Sequence, residues 1–214
     1  MPRTPKSETI ALRIIAGDLR SRKIQLQCDL RTRPMKDRTR EAVMNLLGGT
    51  FPDTYAFDLF GGSGILAFEA ISRGAKHAVI WEILRARATD ISRFAKELGL
   101  QDRVSILPSD VLRWTRDGGL GSPAWSAYYD SPWLLFVCPP YRMWESDGEE
   151  LRNGIAMWLA ACPTGSLVAL EMEVETDEQW LPANLSWDIR RYAPAKIAVA
   201  EKVSPCATPL ASLP

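Results

Sequence analysis

The residues of this sequence that are best placed to do chemistry lie in a short turn after an apolar run. Residues 133–137 (Trp-Leu-Leu-Phe-Val) predict a buried strand, which leads directly into Cys138, Pro139, Pro140 and Tyr141. Two successive prolines cannot extend a strand, so they predict a rigid turn. The carbonyl oxygens of such a turn have no ladder partner and are free to accept hydrogen bonds from a ligand.

A second candidate segment follows an earlier predicted strand. It consists of Asp58, Leu59, Phe60, Gly61, Gly62, Ser63 and Gly64. Its glycines let the backbone approach a ligand closely at the start of the next helix. The segment has neither the GxGxxG spacing of dinucleotide-binding proteins nor the Lys-Ser/Thr of a phosphate-binding loop. Nicotinamide and nucleoside triphosphate ligands are therefore disfavoured.

Two acidic residues close the next two predicted strands. Glu82 is placed to accept hydrogen bonds from both hydroxyls of a ribose. Asp110, followed by Val111, either binds an adenine amino group or caps the helix that follows. Ligands of open parallel sheets bind at the carboxyl ends of the strands, near the point where strand order reverses. We therefore expect both acids to share one edge of a sheet with residues 58–64 and 138–141.

The elements that must position these residues alternate regularly. Strands are predicted at 55–60, 77–82, 103–110, 133–137 and 166–173, with helical patterns between them. This alternation indicates an α/β fold with a largely parallel sheet and helices on both faces. Residues 187–203 predict a closing antiparallel hairpin.

The connection at 117–132 is rich in Gly, Pro and aromatic residues, including Trp125, Tyr128 and Tyr129, and is long for a simple loop. Either it covers its own apolar surface, or its rings provide an extra stacking platform beside the candidate site.

Composition limits the possible classes of protein. Of 214 residues, 46% are apolar and 24% are charged, and no apolar run approaches the roughly 20 residues of a membrane helix. The first residues show no apolar signal region, so we expect a cytoplasmic protein without a membrane partner. Cys28, Cys138, Cys162 and Cys206 form no CxxC pair, and His77 is the single histidine. We therefore expect no metal site and no disulfide framework.

Positive charge is concentrated at the N-terminal end. Residues 1–40 contain eleven Lys or Arg against four acids, a net charge of +7, while the remainder carries −7. The pattern predicts a hairpin around Gly17 and Asp18, then a helix that begins near Pro34 and ends at Gly48. Such a basic block favours phosphate binding over a merely solvated surface. The candidate contacts are Arg13, Arg20, Arg22, Lys23, Arg33, Lys36, Arg38 and Arg40.

In their order and spacing, the glycine segment, the two strand-end acids and the Pro-Pro-Tyr turn resemble S-adenosylmethionine-dependent amino-methyltransferases. More narrowly, "RIIAGDLRSRKI", "RPMKDRTREAVMNLL", "FDLFGGSGILAFEAISRGA" and "ALEMEVE" resemble the RsmD family, bacterial enzymes that methylate N2 of one guanine in 16S rRNA. The resemblance runs from about Leu12 to about Lys202, nearly the whole chain.

The resemblance implies a Rossmann-like class I methyltransferase with a mainly parallel seven-stranded sheet. Residues 1–50 would form a basic hairpin and helix that grip rRNA, residues 51–204 the catalytic domain, and residues 205–214 a tail. It further implies S-adenosylmethionine held by 58–64, Glu82, and Asp110 with Val111, with catalysis at 138–141. The implied partner is 16S rRNA in the assembled or partly assembled 30S subunit, and we expect a monomer.

Cys138 departs from the family pattern, in which an Asp or Asn side chain and the adjacent proline carbonyl accept hydrogen bonds from the amine. A thiol is a weak acceptor, and the sequence does not decide whether its pKa is raised or lowered. Three interpretations stay open: catalysis that relies on the Pro139 carbonyl, an acceptor or a target that has changed, and binding of cofactor and RNA without turnover. A covalent role for the cysteine, a nicotinamide oxidoreductase and a DNA adenine methyltransferase have less support.

Overall fold

The computed structural model describes residues 7–29 and 34–203. The N-terminal part is an antiparallel hairpin of β1 (Ser7–Arg13) and β2 (Lys23–Asp29), followed by helix α1 (Asp37–Leu46). The predicted hairpin is confirmed. The helix begins at Asp37, three residues after Pro34, and its last residue is Leu46.

A seven-stranded sheet forms the centre of the molecule. Its strands in chain order are β3 (Tyr55–Asp58), β4 (His77–Trp81), β5 (Val104–Leu107), β6 (Trp133–Val137), β7 (Leu167–Glu173), β8 (Asp188–Tyr192) and β9 (Ala195–Glu201). Their spatial order is β5-β4-β3-β6-β7-β9-β8. Strands β3 to β7 are parallel, whereas β9 is antiparallel to β7 and to β8. The predicted parallel sheet with a closing hairpin is confirmed, and strand order reverses between β3 and β6.

Five more helices cover the sheet: α2 (Ile65–Ser72), α3 (Arg85–Leu98), α4 (Val111–Arg116), α5 (Arg142–Ser146) and α6 (Gly148–Ala161). Successive side chains of a strand point to opposite faces, so each strand contributes to two cores. Ala56 of β3 packs with α1, α2 and α3, while the next residue, Phe57, packs with α4 and α6. Helix α6 begins at Gly148, six residues earlier than its apolar periodicity indicates, because its first turns are acidic and largely exposed.

The N-terminal hairpin is joined to helix α2 by polar contacts as well as by shared core packing. The main-chain N–H groups of Ile15 and Ala16 donate to the two carboxylate oxygens of Glu69, at 2.9 and 3.1 Å. Gly17, in the connection between the strands, has a φ of +80°, and a Cβ there would lie 1.8 Å from the Ser72 carbonyl oxygen. Only glycine permits this approach, so the hairpin and α2 are in direct main-chain contact.

The connection at 117–132 contains two short 3₁₀-helices, Gly119–Gly121 and Pro123–Tyr128. Among the residues of the described ranges, no helix has both the length and the apolar character needed to cross a membrane. Within those ranges, no group of three or more His, Cys, Asp or Glu is arranged to hold a metal ion.

Candidate active site

The glycine segment forms a tight turn between β3 and α2 at the point where strand order reverses. The N–H of Gly61 donates to the Trp81 carbonyl at 2.7 Å, and the N–H of Gly64 donates to the Gly61 carbonyl at 2.7 Å. A Cβ on Gly61 would lie 2.4 Å from the Ile80 side chain. The absence of a side chain therefore lets the turn lie directly against β4. Leu59 and Ser63 are buried beneath the turn, and Phe60 is half-buried.

Asp58 and Glu82 form an acidic pair at this edge of the sheet. Asp58 is buried, and its Oδ1 has no hydrogen-bond partner among the described residues. Burial, together with the charge of Glu82, raises the pKa of Asp58 to about 8, against an opposing main-chain hydrogen bond from Phe60. Glu82 accepts hydrogen bonds from the N–H groups of Gly62 and Leu84, at 2.9 and 2.8 Å. A buried carboxyl oxygen without a partner is costly, so this edge would favour a ligand that supplies a hydrogen-bond donor or a positive charge.

Asp110 lies at the same edge but is exposed. Its side chain caps α4, because Oδ1 accepts from the N–H groups of Leu112 and Arg113 at 2.9 and 3.3 Å. Of the two roles considered for Asp110, the structure thus contains the helix cap. Val111 is buried in the core.

Sequence reasoning missed two apolar residues beside Glu82. Ile83 and Leu84 have exposed fractions of 63% and 62%, which are unusual for large aliphatic side chains. They follow the strand-end acid directly, so the pattern of an acid and then two aliphatic residues was a signal in the sequence. Their exposed surface is suited to a flat apolar ligand group.

The Pro-Pro turn follows β6 as predicted, and only one of its two proline carbonyls is free. The Pro140 carbonyl accepts from the N–H of Met143 at 2.8 Å and so belongs to the start of α5. No hydrogen bond from the described residues reaches the Pro139 carbonyl oxygen. Tyr141 is half-buried, and its hydroxyl donates to Glu171 Oε1 at 2.9 Å.

The thiol of Cys138 is protonated at neutral pH. Burial raises its pKa well above the ordinary value, and the nearby carboxylates of Glu171 and Asp58 raise it further. A hydrogen bond from the Glu171 main chain opposes this rise only in part. The question that the sequence left open is thereby answered, since the thiol is a weak acceptor and not a thiolate nucleophile.

Glu171, on β7, is a site residue that sequence reasoning did not single out. Burial raises its pKa, whereas the hydrogen bond from Tyr141 lowers it. The alternation of Glu171, Met172 and Glu173 was the available signal, because it gives both acids one face of the strand and buries the methionine on the other.

The candidate RNA-binding residues divide into two groups. Within the described part, the side chains of Arg13, Arg20, Arg22, Lys23, Lys36 and Arg38 are exposed. Arg13 forms an ion pair with Asp37 at 3.4 Å, and Arg22 donates to the Glu97 carbonyl at 2.8 Å. Arg33 lies outside the described residues.

The prediction that Arg40 contacts RNA is wrong for this conformation, because its side chain is fully buried. Its guanidinium donates to the carbonyls of Arg13 and Met35 and to the Asp37 carboxylate, and it lies 4.0 Å from Glu69. Arg40 shares the inward face of α1 with Val43, so its charge is used inside the protein.

The aromatic residues of the 117–132 connection lie away from the Pro-Pro turn. Trp125 is buried against Phe57 and Trp81, at ring-centroid distances of 5.3 and 5.5 Å. Tyr128 contacts Tyr55, the first residue of β3, at 5.1 Å, and the Tyr129 ring lies against Trp133, the first residue of β6. Both tyrosines are therefore at the amino ends of the strands, opposite the candidate site. The connection covers apolar surface, and the idea of a stacking platform is wrong.

Comparison with solved structures gives the class of protein. The fold matches the Escherichia coli protein yhhF with a TM-score of 0.70 and 26% identity, covering 90% of this chain and 98% of that one. It matches the Haemophilus influenzae protein HI0767 with a TM-score of 0.67 and 22% identity, covering 91% and 99%. With its strand order, its closing antiparallel hairpin and a glycine turn at the point of reversal, the chain has the fold of class I methyltransferases.

Comparison of sequences gives the family. A family model described as "Conserved hypothetical protein 95" matches residues 12–197. The "Ribosomal RNA small subunit methyltransferase D" of Escherichia coli strain K12 is 30% identical over 183 residues, which cover 84% of this chain and 83% of the relative. The chain therefore belongs to this family, the RsmD family, as its motifs indicated.

Proposed function

We propose that this protein is an S-adenosylmethionine-dependent methyltransferase that modifies the exocyclic N2 of a guanine in 16S rRNA of the small ribosomal subunit. The observation that carries the proposal is the sheet edge where the unpaired Asp58 carboxyl and Glu82 lie beside the Pro-Pro-Tyr turn. The name of the Escherichia coli relative, a ribosomal RNA small subunit methyltransferase, supports the class of substrate.

The residues present fit S-adenosylmethionine. The cofactor carries positive charge, which suits the unpaired Asp58 Oδ1 and the negative charge of Glu82. Glu82 would hold the ribose hydroxyls, Ile83 and Leu84 would pack against the adenine, and Asp110 with Val111 would lie at its edge. When bound, the cofactor would supply an electrophilic methyl group.

The turn at 138–141 would hold the guanine. The exocyclic nitrogen is a weak nucleophile, because its lone pair is conjugated with the base, so positioning and hydrogen-bond acceptors must do most of the work. The free Pro139 carbonyl is one acceptor, and the Tyr141 ring would stack on the extruded base. The hydrogen bond from the Tyr141 hydroxyl to Glu171 holds this ring in one orientation.

The basic N-terminal hairpin would bind the rRNA backbone through its exposed arginines and lysines. The surface just beyond the turn is acidic, with Glu145, Asp147, Glu149 and Glu150 all exposed. Because acidic groups repel phosphate, RNA would approach the site from the N-terminal side.

A second function is favoured by one observation, the raised pKa of Cys138. If position 138 must supply a strong acceptor, a protonated thiol leaves the protein as a binder of cofactor and RNA that acts in ribosome assembly without turnover.

The two functions are separated by methyl transfer from labelled S-adenosylmethionine to small subunits purified from cells that lack the family enzyme. Native protein and Cys138→Asp are compared, and the modified nucleotide is mapped. Label on a guanine N2 with native protein is the expected result. No label with native protein, but label with Cys138→Asp, would contradict the proposal and identify a binder. Label on a different atom would contradict the guanine N2 assignment alone.

A further inference from the structure

Glu171 is held beside the catalytic turn by three independent constraints. Leu170, its neighbour on β7, pairs with Val137, the residue before Cys138, so the strand register places Glu171 next to the turn. The Tyr141 hydroxyl donates to Glu171 Oε1 at 2.9 Å, and the Trp144 indole N–H donates to the Glu171 carbonyl at 3.2 Å. The main chain of Glu171 is thus fixed beside the turn, and the hydrogen bond from Tyr141 orients its carboxylate.

The second oxygen of this carboxylate is available. Only Oε1 accepts a hydrogen bond from the described side chains, and Oε2 receives none from them. Glu171 is half-buried, so the carboxylate is accessible to a ligand without being fully solvated. A carboxylate in these surroundings is a stronger acceptor than one in water.

Cys138 leaves the turn without a carboxylate of its own. The thiol is protonated, and the negative charge of Glu171 is one of the causes. The acceptor that an Asp or Asn at position 138 would provide is therefore missing from that position, while a carboxylate is present on the neighbouring strand.

We propose that Glu171 is a catalytic residue of the methyl transfer: its carboxylate accepts a hydrogen bond from the guanine amine and then takes the proton that this amine loses. This inference rests on the proposed function. In the transfer, the amine nitrogen forms a bond to the methyl carbon, and the carbon–sulfur bond breaks with its electron pair left on sulfur. One proton must then leave the nitrogen, and it passes to Glu171 and from there to solvent.

The surroundings of Glu171 suit this task. Burial raises the pKa of Glu171 towards neutral pH, which makes its carboxylate a better base than that of an exposed glutamate. The hydrogen bond from Tyr141 acts in the opposite direction and stabilises the charged form that can accept a proton.

The test is methyl transfer by Glu171→Gln in single turnover, on the same unmodified small subunits, with Glu173→Gln as the matched control. Glu173 lies on the same strand two residues further on and is exposed. We expect Glu171→Gln to lower the rate about 100- to 1,000-fold, in the range of lost general-base catalysis. Glu173→Gln should stay within about 2-fold of native.

Three measurements exclude a merely structural effect. Binding of S-adenosylhomocysteine by calorimetry and the melting temperature should be the same for native protein and both variants. The absorbance titration of tyrosinate should shift most in Glu171→Gln. Burial raises the pKa of Tyr141 in every variant, the charge and hydrogen bond of Glu171 raise it further, and the charge of Glu173 contributes least. Tyr141→Phe identifies which titration step belongs to that residue.

Two further variants separate catalysis from positioning. If Glu171 acted only by holding the ring, Tyr141→Phe would lower the rate as much as Glu171→Gln; we expect a loss of less than about 10-fold. The double variant Cys138→Asp/Glu171→Gln restores a carboxylate at the turn and should recover at least 10-fold of the lost rate.

Each outcome has a defined meaning. Native protein that labels guanine N2 while Glu171→Gln keeps full activity would overturn the role of Glu171 and leave the proposed function intact. Native protein that transfers no methyl group would overturn both. A slow Glu171→Gln with an equally slow Tyr141→Phe and no recovery in the double variant would reduce Glu171 to a positioning residue.

Discussion

Glu69 and Asp58 are both buried carboxylates on consecutive elements, yet their surroundings differ completely. Glu69 accepts hydrogen bonds from two main-chain N–H groups of the hairpin connection and forms an ion pair with Arg73 at 3.0 Å. Asp58, on the strand before that helix, has one oxygen without a partner and a pKa raised to about 8.

The difference separates structural from functional use of buried charge. Around Glu69 the protein supplies the hydrogen-bond partners, so the charge fixes the hairpin to helix α2. At Asp58 the protein leaves one carboxyl oxygen without a hydrogen-bond partner, which is expected only where a ligand supplies that partner. The hydrogen-bond partners distinguish the two acids, although burial alone does not.

The largest effect is expected from Glu69→Gln. The change leaves the buried Arg73 guanidinium without its carboxylate and removes the charge that lies 4.0 Å from Arg40, which keeps its bond to Asp37. We expect a loss of about 3–5 kcal/mol in the free energy of unfolding. The measurement is urea unfolding, with Glu97→Gln as the control, because Glu97 forms an exposed pair with Arg93. A change as small as the control would contradict the structural role of Glu69.

Asp58→Asn should weaken ligand binding without lowering the free energy of unfolding. We expect the affinity for S-adenosylmethionine to fall about 10- to 100-fold. This loss corresponds to the roughly 1.5–3 kcal/mol that a hydrogen bond to a charged group contributes. The free energy of unfolding below about pH 4 should change by less than about 1 kcal/mol, because the side chain at this position is then neutral in the folded protein and largely neutral in the unfolded chain, and at pH 7 the variant should be the more stable of the two. Calorimetry and urea unfolding check the two parts. A stability loss as large as that of Glu69→Gln would remove the distinction between the two acids.

The pH dependence of stability sharpens the same comparison. The folded protein keeps a proton on Asp58 that the unfolded chain releases near pH 4, since the folded pKa of about 8 is above the ordinary value of 3.8. This contribution to stability is complete below about pH 4 and is lost as pH rises through 8, at up to about 1.4 kcal/mol per pH unit. The free energy of unfolding should therefore fall less steeply from pH 5 to 8 for Asp58→Asn than for native protein. Parallel curves would show that Asp58 does not titrate in this range.

The smallest effect concerns the exposed surface of the hairpin that Glu69 anchors. Arg20→Ala combined with Lys23→Ala should weaken binding to an rRNA fragment. The slope of log K for RNA binding against log salt concentration should become shallower by about 2, one unit for each lost phosphate contact. Arg113→Ala, an exposed change on α4, serves as the control. An unchanged slope in the double variant would contradict binding through the hairpin.

Much of the fold was predictable because its signals are local. Strand β6 was predicted residue for residue, since its five apolar residues lie between Pro132 and the Cys138-Pro139-Pro140 turn. The glycine segment, Glu82 and the Pro-Pro turn were found because each closes a predicted strand, and parallel strands bring their carboxyl ends together.

What the sequence did not reveal depends on contacts between distant residues. Arg40 was assigned to the surface because its charge suggested exposure, whereas the structure buries it beside Asp37, the Arg13 carbonyl and Glu69. The raised pKa of Cys138 depends on burial and on acidic residues of β3 and β7, which no local pattern brings near it. The importance of Glu171 becomes visible only from its hydrogen bond with Tyr141.

The 117–132 connection completes a group of five tryptophans on one face of the sheet, with ring centroids 5.0 to 6.0 Å from their neighbours. Its members are Trp81, Trp114, Trp125, Trp133 and Trp158. At such spacing, excitation energy passes readily from ring to ring, so the group emits as one unit. Because Trp81 directly precedes Glu82 and its carbonyl accepts the Gly61 hydrogen bond, the group reaches the edge of the sheet that carries the candidate site. We therefore expect binding of S-adenosylhomocysteine to change the tryptophan fluorescence of the protein, which a fluorescence titration checks.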